Sequence, residues 1–132
     1  FYTDGNKVKD AAHNTMPNGI LNTMIPLYST ERQSAIIVPD PGNSNRYFLF
    51  LTIEFISPIT NAFTTELRYS IIDMSLNGGM GDVVSTSKNV FIANNVDCQL
   101  TATKQSGTNN FWILVHPKVS IAGFPLASQH NT

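Results

Sequence analysis

The stretch Tyr47-Phe-Leu-Phe-Leu-Thr-Ile-Glu-Phe55 constrains the fold more than any other. Aromatic and β-branched residues fill positions of both parities at its start, so as a strand it is apolar on two faces and has to be covered on two. A helix is a poor alternative, because no window of about 11 residues carries apolar positions at i, i+3, i+4 and i+7 behind a capping residue. Glu54 is its sole charge, expected to emerge at the wet end of the strand, with pairing to a nearby Arg as the alternative.

Shorter runs of the same kind surround it. Ser34-Ala-Ile-Ile-Val38 stops at the turn cluster Pro39-Asp-Pro-Gly42, where Pro withholds a ladder donor and Gly permits positive φ. Ser57 to Thr64 reads as a longer loop, Leu67 to Met74 as a third strand and Val90 to Ile92 as a short fourth. The series restarts with Leu100 to Thr103, a polar turn over Gln105 to Asn110, and the apolar Phe111-Trp-Ile-Leu-Val115, halted by Pro117. Tyr47 to Leu51 aligns with Phe111 to Val115, an architectural repeat. The expectation is an all-β antiparallel fold of four-stranded, β-propeller-like sheets, a partial propeller or fragment of one, with blade-like units at about 1–33, 34–96 and 97–132. A β-sandwich or jelly roll is the alternative. Phe1 in place of an initiator Met fits a processed product or a piece of something longer.

Composition removes several classes of function. Charged residues make up 13% of the chain, against about 25% in an average globular protein. With 8 Lys and Arg set against 9 Asp and Glu and no basic run, no phosphate-neutralising surface for a nucleic acid is on offer. No apolar stretch approaches the ~18 residues of a membrane span. The single cysteine, Cys98, gives neither an internal disulfide nor a zinc site, and reads as a buried filler. The low-charge, Asn- and Thr-rich composition leans towards a secreted or surface-displayed protein.

Several phrases occur in order along the chain: Phe1-Tyr-Thr-Asp-Gly5, Met16-Pro-Asn-Gly19, Gln33-Ser-Ala-Ile-Ile-Val-Pro39, Leu67-Arg-Tyr-Ser-Ile-Ile-Asp-Met74, Leu76-Asn-Gly-Gly-Met-Gly-Asp-Val83, Lys88-Asn-Val90, Leu100-Thr-Ala102 and Phe111-Trp-Ile-Leu-Val-His116. Together they resemble a propeller-like region near the N-terminus of large surface proteins of gliding Gram-negative bacteria, many of which carry a sorting domain for type IX secretion. The resemblance implies a cell-surface role in adhesion or gliding, with protein or glycan partners. It departs at Lys7 to His13, where the family shows a Trp-containing strand, and at Ile121 to Leu126, where Pro125 interrupts the final strand.

The residues offer little for covalent chemistry. No serine sits in a Gly-x-Ser-x-Gly elbow, and Cys98 has no neighbour to lower its pKa. His116 lies at a strand end beside Pro117, where a cleft could form. Asp73, Asn77 and Asp82 surround a glycine turn, the raw material of a calcium loop; the competing account has Asn and Asp capping the turn backbone. Tyr28 and neighbouring Arg32 are the candidate contact for a sugar or protein, whereas Trp112 sits in an apolar run and is expected in the core. The expectation is a non-enzymatic structural and binding module, which self-associates or belongs to a larger chain. Two alternatives stand beside it: the trimeric receptor-binding tip of a viral or phage fibre, and a carbohydrate-active enzyme fragment using acids among Glu54, Glu66, Asp73 and Asp82.

Overall fold

The computed structural model describes residues 1–21, 35–56 and 59–118. They form three antiparallel sheets, in chain order. The first joins β1 (Tyr2–Thr3), β2 (Lys7–Lys9) and β3 (Thr15–Ile20). The second holds β4 (Ala35–Pro39), β5 (Arg46–Ile56), β6 (Phe63–Asp73), β7 (Asp82–Val83) and β8 (Val90–Asn94). The third is a hairpin of β9 (Val96–Lys104) and β10 (Phe111–Pro117). Single 3-10 turns at Asn77–Gly79 and Ser85–Ser87 flank β7.

The all-β antiparallel expectation holds, but the four-stranded sheets do not. Among the described residues the sheets have three, five and two strands, and none closes into a ring. The reason lies in β6, which is eleven residues long while its next partners are short. One edge of β6 takes β5 along its whole length; the other is shared by β7, opposite Ile72 and Asp73, and β8, opposite Glu66 to Tyr69. β6 also begins at Phe63, inside the expected loop, because Phe63, Thr64 and Thr65 pair with Ile56, Phe55 and Glu54. Threonine is β-branched and suits a strand even where the segment looks polar.

Register decides what each face of the middle sheet covers. Leu49, Leu51 and Ile72 share one face and pack with Val8 and Met16 of the first sheet, with Leu21 just after it and with Val83. All seven are at most 2% exposed. Phe1 closes this core edge-on against Tyr47, ring centroids 5.3 Å apart. The opposite face presents Phe48, Phe50, Leu67 and Tyr69, with ring centroids 5.9 to 6.2 Å apart among the three aromatics. There Leu67 packs with Val96 and Leu100 of β9, flanked by Ile36, Phe50 and Val115. Both faces of β5 are thus covered, as its two-sided apolar pattern requires.

Two residues test this packing. A Cβ on Gly19 would lie 2.5 Å from the Val8 carbonyl oxygen, so β2 and β3 approach as closely as they do only because no side chain intervenes. Gly19→Ala therefore lowers the thermal midpoint, with loss of the Met16 contacts, since backbone cannot move aside as a flexible side chain can. Thr52, on the hairpin side, is buried and its Oγ1 has no hydrogen-bond partner. Thr52→Val removes an unmet hydroxyl at nearly constant shape and raises unfolding free energy by about 1 kcal/mol in urea titration; a loss of similar size would contradict the assignment.

Candidate functional site

The glycine turn after β6 takes its shape from two buried carboxylates. Asp73 ends β6: its Oδ1 accepts from Ser75 Oγ at 2.5 Å and Ser75 N at 2.9 Å, and its Oδ2 from Arg46 Nε at 2.9 Å. The Ser75 hydroxyl, then the Arg46 guanidinium, then the Ser75 amide hold the carboxyl down from its ordinary 3.8 to about 2. Asp82 opens β7 directly across from Asp73. Its oxygens accept from Asn18 N at 2.9 Å, Asn18 Nδ2 at 2.7 Å and Val83 N at 2.8 Å. Asn77, with φ +52°, sits exposed at the head of the turn between them.

This arrangement bears on the two accounts of the turn, a calcium loop and side chains that cap the backbone. Asp73 and Asp82 come together, but each spends its oxygens on N–H and O–H donors, and Asn77 stays outside. Among the described residues no three of His, Cys, Asp and Glu gather as metal ligands. The turn-capping account is the one the geometry follows.

The other acids are similarly engaged. Glu66 is held by Arg68 at 2.6 Å, and Arg68 also donates to the Asn89 carbonyl and lies 5.9 Å from the Phe91 ring centroid. Glu54 does not simply emerge into water: it pairs with Lys118 Nζ at 3.4 Å, and that same ammonium donates to the buried Thr65 hydroxyl at 2.6 Å. Because Glu54 stands opposite Thr65 and Glu66 opposite Ile53, the two glutamates project from opposite faces of one sheet. They do not converge as an acid and base pair.

The surface best suited to contact is the outer face of the β9–β10 hairpin. Phe111, Ile113 and Val115 alternate with Trp112, Leu114 and His116; the first three are half-buried and the second three exposed. Trp112 is 58% and Leu114 53% exposed, which overturns the core assignment of Trp112. Alternation alone could not say which parity of an all-apolar strand faces in; the packing of Val115 with Leu100 and Leu67 decides it. Opposite Trp112 and Leu114 stand Thr103 and Thr101, so the face is neutral, with two large apolar side chains beside two hydroxyls. The turn that sets this register is closed by hydrogen bonds: Gln105 N donates to the Asn110 carbonyl at 2.9 Å and Asn110 N to Thr108 Oγ1 at 3.1 Å. A shallow open concavity at this tip is lined by Lys104 to Asn109, at the far end of β10 from His116. Cys98 is half-buried, not a fully enclosed filler. Tyr28 and Arg32 lie outside the described residues.

Two substitutions separate the structural acids. Asp82→Ala leaves the Asn18 donors without their acceptor in a buried setting and costs about 1 to 3 kcal/mol in chemical denaturation. Asp73 has a folded pKa below its unfolded one, so its stabilisation is complete above 3.8 and disappears as pH falls towards about 2. The thermal midpoint gap between the unaltered protein and Asp73→Asn is therefore present at neutral pH and closes across that acid window. A gap that persisted below it would contradict the ion pair.

Among the described residues no helix is long and apolar enough to cross a membrane. Compared with known proteins, the chain matches no family model, no curated sequence and no solved structure.

Proposed function

We propose that the chain is a non-enzymatic structural and binding module of a secreted or cell-surface protein, and that its working contact is the outer face of the β9–β10 hairpin. The observation that carries this is the two-sided apolar strand Phe111 to Val115, whose Ile113 and Val115 side is packed while Trp112 and Leu114 stand in solvent. Its counterpart, Tyr47 to Leu51, has the same pattern and is covered on both faces by the sheets before and after it in the chain. The occupant that completes β10 in the same manner is the apolar face of a further β-sheet, belonging to the larger protein of which this module is one segment.

A propeller-like stack is the architecture this reading favours. β4, β5 and β6 run as an antiparallel meander whose last strand is flanked by both β7 and β8, and sheets lie on its two faces, as successive blades do. The adhesion- or gliding-related setting, with type IX secretion, rests on the order of sequence phrases from Phe1 to His116 alone. Against a carbohydrate-active enzyme speak the opposed faces of Glu54 and Glu66 and the engaged oxygens of Asp73 and Asp82.

The double substitution Trp112→Thr, Leu114→Thr tests the proposal. It is expected to reduce binding of an apolar dye, while the thermal midpoint stays within about 3 °C, because neither side chain is in the core. A fall of about 10 °C or more would show the face to be covered within the chain itself. A trimer by light scattering that survives the substitution would replace the reading with the fibre tip.

A further inference from the structure

The chain contains two Asn-Gly pairs, Asn18-Gly19 and Asn77-Gly78, and the fold treats them in opposite ways. We infer that Asn77 is a site of spontaneous, water-dependent deamidation and that Asn18 is protected from it. The reaction needs no enzyme and no redox partner. The Gly78 backbone nitrogen, having lost its proton to solvent base, attacks Asn77 Cγ; a new N–Cγ bond forms, the Cγ–Nδ2 bond breaks, and Nδ2 departs as ammonia with a proton from water. Water then opens the five-membered imide at either carbonyl, giving Asp or isoaspartate at position 77.

Three features of the turn favour this at Asn77. Both residues are exposed, so water and hydroxide reach the amide and the imide. Beyond its two chain neighbours, no atom lies within 4 Å of the position a Cβ would take on Gly78, so the turn is open on that side. The backbone bonds of the loop are donated by Leu76, Gly79, Met80 and Gly81, not by Gly78. Asn18 is held instead. Its Nδ2 is held by Asp82 Oδ2 at 2.7 Å, its N by Asp82 Oδ1, and Gly19 is buried against the Val8 carbonyl. The other left-handed asparagines, Asn61, Asn89 and Asn95, precede Ala or Val, whose Cβ obstructs ring closure.

The product matters to the fold. Isoaspartate inserts a methylene into the main chain between positions 77 and 78. The Met80 N to Asn77 O and Gly81 N to Leu76 O bonds, at 3.2 and 3.0 Å, both span that point. Gly81 is seated against Met74 and Met16, so loosening it loosens the seat of the turn on the first sheet.

Incubation of the intact chain at mildly alkaline pH, followed by peptide mapping, reads both pairs in one sample. Expected is a peptide about 1 Da heavier at position 77, with an isoaspartate fraction, formed at least about 10-fold faster than any change at position 18, and equal rates at the two pairs in urea. Conversion of Asn18 as fast as Asn77 in the folded protein would overturn the inference. So would a folded chain in which neither pair changes while both change in urea.

Discussion

The antiparallel ladder between β5 and β6 is the interaction on which the remaining structure depends. Eleven residues of each strand pair without a break, from Arg46 opposite Asp73 to Ile56 opposite Phe63. A ladder of that length commits both faces at once, because every step in register sends one side chain up and the next down. With Leu49, Leu51 and Ile72 on one side and Phe50 and Leu67 on the other, neither face can be left to water. The first sheet and the hairpin are what the ladder recruits as covers.

Long-range polar contacts then fix how those covers sit. Asn18 of β3 donates to Asp82 of β7, the Asn89 amide donates to the Leu21 carbonyl, and Lys118 beyond β10 reaches Thr65 inside β6. Each joins residues more than fifty positions apart in a chain with few charges, and each ends on a buried or half-buried acceptor. Hydrophobic burial selects a face but tolerates sliding; directional bonds of this kind do not. The acids around the glycine turn are accordingly fixtures of the fold, whereas Trp112 and Leu114 lie exposed on a neutral sheet face.

Much of this was legible in the amino-acid order where strands are apolar. Tyr47 to Phe55 declares itself by its aromatic and β-branched residues and is found as Arg46–Ile56. The strands of the first sheet are not legible in the same way. Lys7-Val-Lys9 has one apolar residue, and Thr15–Ile20 contains Pro17 and Gly19, both unfavourable in strands. They form because Val8 and Met16 fill a core supplied from elsewhere and Gly19 allows close approach, which no local pattern reveals. The start of β6 was hidden behind polar threonines, and the partner of Asp82 lies 64 residues away. The outward direction of Trp112 was undecidable locally, because all five residues from Phe111 to Val115 are apolar.

Native-state hydrogen exchange tests the organising role of the doubly covered ladder most directly. The account predicts that amides over Leu49 to Thr52 and Leu67 to Ile72 exchange last and together, only through global unfolding, while those of Trp112 to Leu114 open earlier because one side of their sheet is bare. Exchange of the central β5 amides ahead of β10, or uniform protection across the hairpin and the ladder, would contradict it.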